Sequence, residues 1–328
     1  MSDSTPIPSS TVNQRSRRTR HPFALFVILL FALLTSHAWA NGCTLTGDGS
    51  INTPFQIASS ADLVYLSNTE ACITGGYHFK QTANIDFQGV TWNSGIGSDG
   101  DVNGTSVDAF FQGTYDGGNF SLSNLNISSS HGVVGLFDRT EDATIRNLKL
   151  VNVTVSTSDQ RAGSLIGRAD ETTVISNVDV QATVSGRYDI GGLIGYAEDS
   201  SAVSVTNTTF TGSVTAENAN GTSRVGGVIG DAGGDVTITF TTIENANILL
   251  NGSDANDTSL GGLIGEAGST TVTIKHVTVS NTTVSAHDLS LATGGFIGDA
   301  DGTNVTVEHA SFDGTVNGGE KVGGVVGD

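Results

Sequence analysis

Hydrophobic and polar residues alternate along several short stretches of the chain. Val236-Thr237-Ile238-Thr239-Phe240, Val272-Thr273-Ile274 and Val305-Thr306-Val307 keep a period of two and are rich in β-branched side chains. That pattern predicts half-buried strands, one set of side chains facing a core and the other facing water. No part of this region keeps a helical period. The exception lies upstream: Ser59-Ser60-Ala61-Asp62-Leu63-Val64-Tyr65-Leu66 has an N-cap candidate, an early Asp and apolar residues three apart, which predicts a short helix.

The alternating segments recur. Ile145, Ile175, Val205, Ile238, Ile274 and Val307 form one apolar column, and Leu150, Val180, Phe210, Ile243, Val279 and Phe312 form another. Both columns step by 30, 30, 33, 36 and 33 residues. Shared steps place the length variation elsewhere, in the polar stretches 217–223, 252–259 and 286–290, which read as loops. A Gly-rich pentapeptide recurs between the columns, as in Gly191-Gly192-Leu193-Ile194-Gly195. Its central apolar positions are Leu165, Leu193, Val228, Leu263, Phe296 and Val325, with a degenerate forerunner at Leu136.

A unit of 28 to 36 residues with about three short strands cannot bury its own apolar face. Stacked units can, and each strand then pairs with its counterpart one coil away, at about 4.8 Å per coil. The expectation is an all-β fold, a parallel β-helix (β-solenoid) with a short N-terminal helical cap. Blades of a β-propeller would be longer than most units here. Asn147, Asn177 and Asn207 share one turn position, followed by Phe240, His276 and His309. Stacked Asn can hydrogen-bond as a ladder, and Asn also tolerates left-handed turns. The repeated glycines serve either positive φ or close approach between coils.

The first forty residues are excluded from this fold. Arg15, Arg17, Arg18 and Arg20 precede an unbroken apolar run, Phe23 to Leu34, and then Ala38-Trp39-Ala40. These are the parts of a secretory signal peptide cut before Asn41. The expected organisation is therefore a leader over 1–40, a cap with the first coils over 41–131, and the repeat over 132–328. The whole chain carries 14 Lys+Arg against 33 Asp+Glu, a net charge of −19. Without the leader the balance is 10 against 32, a net of −22. Such a surface repels nucleic acid and favours solubility. No second apolar stretch predicts a transmembrane segment. Gly is abundant, 43 of 328, while Pro54 is the one proline after the leader, so tight turns are expected rather than collagen or Pro-rich linkers.

Cys43 and Cys72 both follow the cleavage site, and in an oxidising compartment they are expected to pair. The rival reading, a lipidated Cys43, lacks the usual Leu three residues earlier. The chain stops inside a pentapeptide at Val326-Gly327-Asp328, which reads as a partial chain with further C-terminal domains.

Chemistry-bearing patterns are sparse. There is no His-Glu-x-x-His, no Gly-x-Ser-x-Gly elbow and no phosphate loop, so no catalytic set is assigned. Asp116, Asp231 and Asp299 adjoin glycine turns and would be catalytic only if the fold clustered them. Asp231, Glu266, Asp299 and Asp328 follow successive pentapeptides at one position. Calcium is the cofactor they would suit if they converged, with Asp231, Glu266 and Asp299 as candidates. Thr237, Thr273 and Thr306, with Ser204, form an outward rank that fits either ice ordering or the ordinary preference of Thr for exposed strands.

The pentapeptides resemble the GLUG motif, named for its Gly-Leu-x-Gly core. Upstream, Thr53-Pro54-Phe55-Gln56-Ile57, Asn84-Ile85-Asp86-Phe87 and Phe111-Gln112-Gly113-Thr114-Tyr115-Asp116-Gly117 resemble the segment that leads into such repeats. The resemblance implies a right-handed parallel β-helix in secreted or surface bacterial proteins. These include adhesin-like chains and regions attached to immunoglobulin A peptidases. It implies no catalytic residue. The function expected is a non-enzymatic, adhesin-like protein, secreted or on the bacterial surface. Its partner would be a surface glycan or protein. The alternatives are a carbohydrate-active β-helix enzyme, or the stalk of a longer surface peptidase.

Overall fold

In a computed structural model the described residues are 42–328, except 89, 91, 100–107, 131, 218–221, 252–257, 269–270 and 287–290. The expected leader lies outside them, and so do much of the three expected loops. The alternating segments form parallel strands that stack coil upon coil, so the chain is a β-solenoid.

The first predicted column exists and starts earlier than the repeat. Phe55 pairs with Phe79, Phe79 with Tyr115 and Tyr115 with Ile145. From Ile145 the column continues through Ile175, Val205, Ile238 and Ile274 to Val307. The second column begins at Ile85 and Leu122, then runs through Leu150, Val180, Phe210, Ile243 and Val279 to Phe312. A third column, not anticipated, links Ile127, Val155, Val184, Val214, Ile248, Val284 and Val316. Two shorter ladders flank the pentapeptide, one through Ile190 and Val225 and one through Ile194 and Ile229. A coil thus holds five strand segments rather than about three. The two extra ones are only three or four residues long, for example Asp189–Gly191 and Ile194–Ala197, too short to show alternation.

The interior columns are mainly apolar, with Thr173, Thr208 and Thr241 buried among them, and stacking makes one continuous core. Its N-terminal end is aromatic: Phe79 and Phe111 lie 5.8 Å apart, and Phe111 and Phe137 4.7 Å. The larger rings fill the first coils, where Tyr115 is fully buried and its hydroxyl donates to Gln81 Oε1 at 3.3 Å. Burial alone pushes the Tyr115 phenol far above its ordinary pKa.

The predicted helix, α1 (Ser60–Ser67), is present with a full capping box: Ser59 Oγ accepts from Asp62 N, and Asp62 accepts from Ser59 N. A second, four-residue helix, α2 (Glu70–Ile73), follows it. Leu63, Leu66 and Ile73 sink into the core, and Trp92 Nε1, on the first rung of the third column, donates to Ser67 Oγ at 3.2 Å. The helix therefore covers the first coil, and the Cys43–Cys72 disulfide ties it to the chain's earlier turn. At the other end, Val307, Val322 and Val325 in the last described coil stay 37%, 48% and 47% exposed because they stack on one side only. No described helix is long and apolar enough to cross a membrane.

Candidate functional site

At the pentapeptide, neighbouring coils approach closely. Leu165, Leu193, Val228, Leu263 and Phe296 point inward and are buried, whereas Val325 in the last coil is not. The flanking glycines do not adopt positive φ. Their requirement is space: a Cβ on Gly192 would lie 2.1 Å from Gly227 O, and one on Gly227 would lie 2.2 Å from Gly262 O. Of the two explanations for these glycines, close coil-to-coil approach is the one that holds here. Ser164 takes the corresponding place one coil earlier, and its hydroxyl donates to Gly192 O.

Charged side chains gather outside the pentapeptide. One outward column runs Arg161, Asp189, Arg224 and the facing one runs Arg168, Tyr196, Asp231, Glu266, Asp299. The calcium candidates Asp231, Glu266 and Asp299 are thus stacked in register, as their spacing implied. They do not meet around a vacant centre. The Arg224 guanidinium lies among them, with Nη1 3.2 Å from Asp189 and 3.4 Å from Asp231, and Nε 2.6 Å from Glu266. Arg161 holds the other side of Asp189 at 2.9 Å and lies over the Tyr196 ring at 4.2 Å. Burial, and then the negative charge of Asp189, push Asp231 up to about 7 against the pull of Arg224. Asp299 accepts from Asp301 N within its own turn. Among the described residues no three His, Cys, Asp or Glu side chains converge as a metal site.

The Asn ladder is real in both senses. Asn147, Asn177 and Asn207 have φ of 53°, 55° and 50°. Asn207 donates to Asn177 at 2.6 Å, Asn177 to Asn147 at 3.0 Å and Asn147 to Asp116 at 3.0 Å. Phe240, His276 and His309 continue the left-handed position, their rings stacked at 4.8 Å per step. A second ladder was missed, Asn152 to Asn124 at 2.7 Å and Asn281 to Asn245 at 2.6 Å. The signal was present, since Asn245 and Asn281 are separated by the same 36 residues as the apolar columns.

The Asp residues weighed as catalytic are held apart. Asp116 lies on the first face, bound by Arg146, Asn147 and Gly118 N–H. Partial burial opposes its charge, yet these donors keep it below the ordinary carboxylate pKa. The Thr rank pairs as expected, Ser204 to Thr237 to Thr273 to Thr306, but Val174 precedes Ser204 in it. A further hydroxyl face lies along the third column, where Thr154 and Ser156 pair with Thr183 and Ser185, and these with Ser213 and Thr215, before Asn247 and Leu249 follow.

No family model matches the chain. Halomucin of Haloquadratum walsbyi is 35% identical over 158 residues, covering 47% of this chain and 2% of halomucin. Immunoglobulin A1 proteases of Streptococcus pneumoniae and Streptococcus sanguinis are 35% and 33% identical over 102 residues. Those matches take in 31% of this chain and 4% and 5% of the proteases. The chain therefore corresponds to a small segment of each relative. A crystal structure from Bacteroides ovatus that carries an immunoglobulin A1 protease designation superposes with a TM-score of 0.59 at 16% identity. It covers 85% of this chain and 86% of its own, a likeness of fold.

Proposed function

We propose that this chain is an exported, GLUG-type β-solenoid that acts by contact rather than catalysis, as an adhesin-like module at a bacterial surface. The observation that supports this most is the pairing of one unbroken core with outward ladders of Asn, Thr and Ser. Those ladders run across several successive coils and present polar side chains outward. A solenoid lengthens by adding coils, so it can hold a contact face away from an envelope. Similarity confined to small segments of far longer proteins fits a module of this kind.

The test is retention of the purified chain, residues 41–328, on immobilised glycans and matrix proteins, with an unrelated protein of equal acidity as control. Retention above that control supports the reading, and equal retention everywhere removes it. The second reading, a stalk within a longer peptidase, draws on the immunoglobulin A1 protease segments. A native gene product that continues past Asp328 into a peptidase domain, with the solenoid dispensable for surface contact, favours it.

A further inference from the structure

The first face carries a groove at its N-terminal end. Its volume is about 480 Å³, and three basic side chains, His78, Lys80 and Arg146, line it. The backbone brings them together. Phe79 turns inward, so its neighbours His78 and Lys80 must face out. Lys80 pairs with Asp116 and Asp116 with Arg146, which sets the three on successive coils with charges +, −, +.

The middle charge is already satisfied. Asp116 accepts from Arg146 at 3.1 Å, from Asn147 at 3.0 Å and from Gly118 N–H at 3.0 Å. Lys80 is exposed and has no ion-pair partner among the described residues. Other cations on the solenoid, such as Arg161, Arg224 and Lys275, sit in ion pairs of its own. On a chain of net charge −19, the groove is thus a local positive site.

Its far wall is fixed in place. Gly49 N donates to Thr53 O, Thr53 N to Ser50 O, His78 N to Gly49 O and Gln56 N to Thr46 O, at 2.7 to 3.2 Å. This wall presents Ile51, 72% exposed, beside Pro54. Gln56 and Thr114 add neutral donors and acceptors to the floor.

We infer that this groove binds an acidic saccharide, a sugar unit bearing a carboxylate. Lys80 meets the carboxylate, Gln56 and Thr114 meet the hydroxyls, and Ile51 and Pro54 cover a C–H edge. The strand that carries His78 and Lys80 pairs on both sides, so an added peptide strand has no free edge there. The chain's net charge disfavours polyanions as long as nucleic acid, whereas a short acidic sugar engages the local field alone.

The test is calorimetric titration of the purified chain, residues 41–328, with trigalacturonate at low ionic strength. Maltotriose, inorganic phosphate and a Glu-rich peptide are titrated in parallel. Saturable binding of trigalacturonate is expected, with none for maltotriose and little displacement by phosphate. Lys80→Gln is expected to weaken it about tenfold. Lys275→Gln, in the same outward column but paired to Glu308, is expected to leave it unchanged. Added salt weakens the binding. The inference is overturned if trigalacturonate shows no saturable binding, or if Lys80→Gln binds as well as the parent. Equal competition by phosphate or the acidic peptide overturns it too. A negative result leaves the surface-contact reading standing, since that is judged by retention on a panel that also holds neutral glycans and matrix proteins.

Discussion

Asn177 Nδ2 donates to Asn147 Oδ1 across 3.0 Å, joining two turns that are 30 residues apart in the chain. Each Asn also holds its own backbone in the left-handed region. One residue type therefore sets the bend within a coil and the bond between coils. Asn177→Ala should cost about 2 kcal/mol, from the left-handed penalty and the lost ladder bonds together. Asn177→Gly should cost less, because glycine keeps the turn and forfeits only the bonds. Urea denaturation of the two variants checks the order. Equal losses would show that the turn conformation matters little.

Gly192→Ala should be strongly damaging for a single added methyl. Its Cβ meets a backbone carbonyl, Gly227 O at 2.1 Å, which cannot rotate away. A loss of about 3 kcal/mol is expected. Gly268→Ala, outside the pentapeptide at a position where nothing lies within 4 Å, should be close to neutral. Thermal melts of the pair separate crowding from conformational freedom.

The charge network around Arg224 should make stability fall with rising pH. Asp231 is raised to about 7 by burial and Asp189, against about 3.9 when unfolded. A carboxyl with a raised folded pKa contributes fully below its unfolded value and loses that contribution as pH rises through the folded one. Asp231→Asn should therefore be nearly neutral at pH 4. At pH 8.5 it should gain on the order of 2 kcal/mol over the parent. Melts at both pH values decide it, and a variant weaker at pH 8.5 would contradict the assignment.

Arg224→Met at pH 8 removes the shared partner of Asp189, Asp231 and Glu266. Leaving partly buried carboxylates without it should cost about 3 kcal/mol. The double change with Asp231→Asn should recover part of that loss, which a denaturation cycle measures.

The Cys43–Cys72 bridge closes 29 residues around α1 and α2. Its loss should cost about 3 kcal/mol by the chain-entropy account. Reduction followed by a melt checks the size, and unchanged stability would show that the cap holds without it.

Much of the solenoid was legible because its two main columns repeat with identical steps, and alternation assigns each side chain a face. Ile145 to Val307 pair as that periodicity required. The short ladders beside the pentapeptide were not legible, because Asp189–Gly191 is too brief for a period. The acid column was visible from spacing, but Arg224 was not: it lies 42 residues before Glu266, on a different face of the coil. The basic groove escaped for the same reason. Lys80 and Arg146 are 66 positions apart in the sequence, and only the register that passes through Asp116 makes them neighbours.

Adherence of cells that display residues 41–328 tests the account most directly. They should bind at least one host-type glycan or matrix surface above cells displaying an unrelated chain of equal charge, without consuming that surface. Binding no better than the control, or turnover of the bound material, would contradict it.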